Sequence, residues 1–196
     1  MKVKLLVASA AALLVLSAQQ PTCRNCSATY IEKSELDAYA ARGKAESIVD
    51  QQVRAVDVGK SNVAVGVVYR GKLTGPSDVA EHDLVSEVYH VISGSATLVT
   101  GSDIVDMQRR PADNRAVKML NGPGNNGKSI RNPQTHQLKS GDVIVIPAGV
   151  GHWFTKIDDH IEYLMIRVDP DKAAPLKDAA ASKADLATKQ TKAKAK

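Results

Sequence analysis

At 196 residues, 43% of them hydrophobic and 24% charged, the chain is the length of one domain and long enough to bury a proper core. Its net charge of +5 sits at the two ends: Lys2 and Lys4 contribute +2, and residues 171–196, with seven lysines against three aspartates, contribute +4. The middle is left at about −1, so the basic character excludes charge-driven nucleic-acid binding as a property of the folded part.

In chain order, residues 1–18 read as a signal peptide. A basic start is followed by the apolar run Leu5 to Leu16 and then small residues, with Ala18 as the cleavage position. The run is too short to span a bilayer, which argues against a transmembrane anchor and predicts a periplasmic or secreted protein. Cys23 lacks the preceding small residues of a lipoprotein signal. With Cys26 it forms C-x-x-C, and an oxidising compartment allows either a local disulfide or free thiols. A c-type haem site would need a histidine where Ser27 stands, and a redox motif would need a helix N-terminus in a packed fold.

Residues 19–52 form an N-terminal segment in which TYIEKSELDAYAARG predicts a short helix. Thr29 or Ser34 serves as its cap, and Gly43 as its stop. From about Val53 the pattern changes to short β-branched runs punctuated by Gly, Pro, Asn and Asp: NVAVGVVYR, EVYHVISG, SATLVT, DVIVIP and IEYLMIRV. Such runs, with no helical pattern between them, predict an antiparallel sandwich or barrel over residues 53–170. NGPGNNG, residues 121–127, is the longest turn signal, inside an insertion between two strand groups. Residues 171–196 read as a low-complexity basic tail, disordered or partly helical, that solubilises the chain or docks on a partner.

Five histidines are spread over the strand region: His82, His90, His136, His152 and His160. In EHDLVSEVYHVISG, Glu87 follows His82 after four residues and Gly94 follows Glu87 after six. In GDVIVIPAGVGHWF, Gly141, Pro147, Gly149 and His152 are spaced as G-x5-P-x-G-x2-H. Together these resemble the two motifs of the cupin family, G-x5-H-x-H-x3-4-E-x6-G and G-x5-P-x-G-x2-H-x3-N. The second motif departs only at Lys156, where asparagine is expected. In the first, Gly75 is one position off and Ala80 stands where the leading histidine belongs.

The resemblance implies an all-β fold, a cupin-type jelly-roll β-barrel, with His82, Glu87 and His152 directed inward as ligands of a divalent transition metal (Fe, Mn, Ni, Co or Zn). Strand alternation agrees: Glu87, Tyr89 and Val91 share one face, and His90 the other. By the same count Phe154 follows His152 inward and Trp153 faces away. Two imidazoles and one carboxylate leave ligand positions open. Glu81 and His136 are candidates for a fourth ligand, and neither is selected by the sequence. Tyr89, two residues beyond the carboxylate, is the candidate catalytic residue as acid, base or hydrogen-bond donor; a core tyrosine satisfied by a neighbour is the plainer reading. Arg70, Lys118, Arg131 and Arg167 are cations that an acidic substrate would use, though solvated surface positions account for most such residues.

Two functions follow. One is an exported metal-dependent enzyme, dioxygenase-like or lyase-like, acting on a small organic molecule inside the barrel. The other is a non-catalytic cupin module that binds a sugar or other small ligand in the cell envelope. The resemblance also implies a homodimer through barrel edge strands.

Overall fold

The computed structural model describes residues 21–23, 26–75 and 77–188. Residues 1–18, read as a signal peptide, and residues 189–196 of the tail lie outside the described residues. Cys23 and Cys26 are joined in a disulfide. Among the described residues no helix is long and apolar enough to cross a membrane.

Helix α1 spans Lys33–Glu46. Neither Thr29 nor Ser34 caps it. The N-cap position is Glu32, whose side chain makes no capping bond and whose carbonyl accepts from Glu35 and Leu36. Nor does Gly43 stop it. The buried Arg42 donates to Gln51 Oε1 at 2.6 Å, and this tertiary contact helps carry the helix on to Ser47, which turns left-handed at φ 57°.

Twelve strands follow: β1 Asp50–Asp57, β2 Asn62–Gly71, β3 Val79–His82, β4 Ser86–Gly101, β5 Ile104–Val105, β6 Gln108–Arg109, β7 Gly124–Gly127, β8 Ser129–Ile130, β9 Gln134–Lys139, β10 Val143–Ile146, β11 Gly151–Lys156 and β12 His160–Asp169. A π-helical turn, Val117–Asn121, precedes β7, and helix α2, Ala179–Ala187, follows β12. EVYHVISG and SATLVT are one continuous strand, β4, and that length organises the fold. Its first half pairs with β12 and β10, and its second half with β11 and β9. One sheet runs β1-β2-β12-β4-β10, the other β9-β4-β11-β3-β7-β6, and all these pairings are antiparallel. This is the antiparallel all-β architecture that the strand pattern predicts.

The barrel interior is built by period-two alternation. Tyr89 and Val91 of β4, Leu98 from its second half, Phe154 of β11, and Ile161, Tyr163 and Met165 of β12 form one buried cluster. A second cluster, Tyr39, Val53 and Val67 with Leu36, Leu164 and Leu186, lies under the two helices.

Part of the C-terminal tail is therefore structural. Asp178 caps α2 by accepting from the Ala181 N–H at 2.8 Å. Ser182, fully buried, donates to the Val53 carbonyl at 2.7 Å. The loop reading of NGPGNNG also changes, because Gly124–Gly127 forms β7 against β3. A Cβ at Gly124 would strike the Glu81 carbonyl and come within 3.2 Å of His82 Cα, so the strand can lie this close to β3 only as glycine.

Candidate metal centre

His82 ends β3 and Glu87 lies one residue into β4, so a short turn sets them side by side. His152 comes from β11, opposite Ala80 of β3. The turn before β11 is pinned to the first motif by its own backbone. Gly149, left-handed at φ 79°, donates its N–H to the His82 carbonyl at 2.8 Å. The two sequence motifs thus meet through a main-chain hydrogen bond as well as through their side chains.

Ligand atoms of His82, Glu87 and His152 all lie within 4.8 Å of one another, and all three residues are buried. Glu87 Oε1 is 3.5 Å from His82 Nε2, and Oε2 is 3.4 Å from His152 Nε2. Donors sharing one ion at about 2.1 Å lie about 3.0 Å apart at right angles and about 3.4 Å apart in a tetrahedron. The three residues therefore fit a divalent transition ion in donor chemistry, and the two histidine–carboxylate separations match the spacing of neighbouring ligands. They form the one such cluster of histidine, cysteine or carboxylate groups among the described residues.

Glu87 is the electrostatic centre. Arg167 is its direct cross-strand partner, with the guanidinium Nε 3.3 Å from Glu87 Oε1. Arg167 also donates to Asp50 Oδ2 at 2.5 Å and to Gln52 Oε1 at 3.2 Å. Burial alone would raise the Glu87 carboxyl. His82, the His152 hydrogen bond and Arg167 oppose it and hold the group well below the ordinary carboxylate range. Burial lowers His82 to about 3, against the pull of Glu87, so at neutral pH its ring is uncharged. The guanidinium of Arg110 stands 3.2 Å from His82 Nδ1 and has only protons to give, which favours a proton on Nε2 with the Asn121 amide, 2.7 Å away, turned so that its oxygen accepts it.

Tyr89 faces inward, and its hydroxyl donates to Glu87 Oε2 at 2.7 Å while its ring packs on Tyr163 with centroids 4.4 Å apart. Burial and the adjacent Glu87 charge push this hydroxyl well above its ordinary value, so it stays protonated. Of the roles read from the sequence, the contact it makes is that of a hydrogen-bond donor, and its target is the carboxylate.

His90 is exposed, as alternation requires, and His152 and Phe154 are both buried. The two candidates for a fourth ligand fall elsewhere. Glu81 accepts from Asn125 Nδ2 at 2.6 Å, and His136 Nε2 lies 2.9 Å from Thr100 Oγ1. His160 sits between Asp159 and the ring of Tyr69. Lys118 and Arg131 are exposed, the latter paired with Asp103, and Arg70 bonds the Tyr163 hydroxyl. Arg167 overturns the surface reading given to such cations, because it is 0% exposed. Its place in the period-two row Ile161, Tyr163, Met165, Arg167 carried that signal.

One residue of the cluster was invisible in the sequence. Asn121, 4% exposed, brings Nδ2 to 2.7 Å from His82 Nε2 and 3.3 Å from Glu87 Oε1. It ends the π-helical turn, whose outer side borders an open cavity of about 350 Å³ lined by Gln52, Arg115, Met119, Leu120, Leu176 and Lys177 among others.

No family model and no curated protein matches the chain. Among solved structures, a Bacillus halodurans protein is 13% identical, with 82% of this chain and 97% of that one aligned at a TM-score of 0.43. An RmlC-like cupin family protein with a double-stranded β-helix fold, from Methanocaldococcus jannaschii, is also 13% identical (63% and 84% covered, TM-score 0.37). The DMSP lyase DddQ of Ruegeria pomeroyi is 17% identical (62% and 50% covered, TM-score 0.37), so the chain spans half the length of that lyase. These likenesses are of fold only, and at such TM-scores none bears on activity.

Proposed function

We propose that the chain is an exported metalloprotein in which His82, Glu87 and His152 hold a divalent transition ion, and that it acts as an enzyme on a small organic molecule. The observation that carries this reading is the convergence of three buried ligand atoms within 4.8 Å, from two motifs about 65 residues apart. When bound, such an ion would polarise an oxygen of the substrate or of water, the chemistry a lyase-like reaction needs, and the positions the three residues leave open would suit a dioxygenase-like one.

What the chain itself does is hold Glu87 ionised and immobile. The Tyr89 hydroxyl fixes one carboxylate oxygen, and the Arg167 guanidinium fixes the other. Asn121 closes the cluster on the side of the π-helical turn. The cavity bordered by Leu120 and Met119 lies next to it along the chain, and none of the three ligands lines that cavity. The Cys23–Cys26 disulfide supports an oxidising compartment, and the apolar run Leu5–Leu16 supports export. A homodimer through β10 is part of the same reading. Among the described residues this strand pairs only with β4, and it exposes Val143 (60%) and Val145 (63%).

A second reading has one specific observation in its favour. Arg110 beside His82 Nδ1 favours a proton on Nε2, the atom that would face the ion, as in an ion-free module that binds a small ligand without turning it over. Metal analysis of the full protein purified without an affinity tag, beside a His152→Ala variant, separates the two. Stoichiometric metal that disappears in the variant supports the metalloprotein. Absence of metal from both, with no uptake of added Zn, Mn, Fe, Co or Ni, overturns it.

A further inference from the structure

We infer that Asn121 supplies the fourth ligand of this centre, its side-chain amide oxygen filling the position for which Ala80 offers no donor. The inference rests on the metalloprotein reading and deepens it. Asn121 is 4% exposed and reaches the cluster from a different part of the chain than either motif. With Nδ2 turned inward, its Oδ1 is buried and has no hydrogen-bond partner. A buried polar atom left unpaired is costly and calls for an explanation.

A half turn about Cβ–Cγ exchanges the two amide atoms. The oxygen then takes the place 2.7 Å from His82 Nε2 and 3.3 Å from Glu87 Oε1. Those separations bracket the ~3.0 Å expected of neighbouring donors on one ion. Without a cation this orientation sets the amide oxygen beside a carboxylate oxygen, with the His82 Nε2–H as its donor. With one, both oxygens point at positive charge, and the bond to the ion offsets whatever hydrogen bonding the outward nitrogen lacks.

The backbone is shaped to deliver the residue. Asn121 is the last residue of the π-helical turn Val117–Asn121, and Gly122 leaves it at φ 65°, a conformation open to glycine. Amide oxygens are ordinary ligands of hard cations and acceptable ones for Mn, Fe and Co, so the completed set is two imidazoles, one carboxylate and one amide oxygen.

The test is a Co(II) titration of metal-free, full-length protein, followed by the visible ligand-field bands, for wild type, Asn121→Ala, Asn121→Asp and His152→Ala. A fourth ligand predicts that Asn121→Ala weakens Co(II) binding about 10–100-fold and shifts the bands. Asn121→Asp, the same shape with an anionic oxygen, should bind at least as tightly as wild type. If Asn121→Ala matches wild type in both affinity and spectrum while His152→Ala loses binding, the fourth-ligand inference fails and the three-residue centre stands. If wild type itself takes up no Co(II), both fail. Should circular dichroism show Asn121→Ala unfolded, the aspartate variant decides: weaker binding than wild type overturns the assignment.

Discussion

Arg167→Met is the sharpest test of how the centre is held. Arg167 is 0% exposed and Glu87 2%, and the two are opposed across β12 and β4 with Nε 3.3 Å from Oε1. Removing one partner of a buried pair leaves an uncompensated charge, which costs about 3–5 kcal/mol. Here Asp50 also loses a 2.5 Å bond, although its side chain is 23% exposed and water can compensate there. For a protein of this size each kcal/mol moves Tm by about 2–4 °C, so the variant should melt roughly 6–20 °C below wild type.

Thermal unfolding by circular dichroism near neutral pH, with a chelator present, reads this directly. The double variant Glu87→Gln/Arg167→Met should recover most of the loss, because no buried carboxylate remains to be neutralised. A saturating divalent ion should raise the Tm of Arg167→Met more than that of wild type, since it restores positive charge beside Glu87. A single variant within about 2 °C of wild type, or a double variant worse than the sum of the singles, would refute the reasoning.

Three other outcomes follow from neighbouring groups. Burial holds His82 at about 3 in the folded chain, against 6.5 for the ordinary group, so the unfolded chain takes up the proton first. Stability from this residue is complete above pH 6.5 and falls as pH drops through the window towards 3, by roughly 1 kcal/mol per pH unit; urea unfolding in chelator should show the slope, and His82→Gln should flatten it. Arg110→Gln replaces a group that only donates to His82 Nδ1 with one that can accept from it, freeing Nε2 for an ion. Metal affinity measured by competition with a chromophoric chelator should rise about tenfold, and an unchanged affinity would count against the tautomer argument. Ser182→Ala removes the donor to the Val53 carbonyl and should destabilise the full chain by about 1–3 kcal/mol in urea, whereas a freely moving tail would give no effect.

The parts of this molecule legible in its sequence are those in which residue identity and local period carry the information. The strands announce themselves by β-branched alternation, and His82, Glu87 and His152 by spacing. The face calculation that sent Glu87 and Tyr89 inward and His90 outward holds because a side-chain period of two leaves no intermediate choice. Where strands went unread, the period was hidden. In β9, QTHQLK, Leu138 is the one buried residue, and β7 is GNNG, held by close backbone approach rather than by apolar side chains. The tail, expected to be disordered or partly helical, carries a helix whose fixing contacts were hidden for a similar reason. Alanine dominates α2, and what fixes it is a buried serine together with Asp185, which pairs with Lys177 and Arg42, groups that composition alone does not single out.

The centre shows the same division more sharply. Arg167 was open to discovery, since it continues the row of Ile161, Tyr163 and Met165, and a charge on an inward face must find a partner or not be charged at all. Asn121 was not. It lies 39 residues from His82 and 34 from Glu87, inside a stretch whose glycines and proline read as a turn. Only the π-helical turn, the pairing of Gly124–Gly127 with β3 and the closure of the barrel bring it to the cluster. Ala80 marks the first motif as lacking a donor, and a chain can supply that donor from any segment the fold carries past the site. The compensating residue therefore has to be sought in space around His82 and Glu87, where a buried amide with an unpaired oxygen stands out.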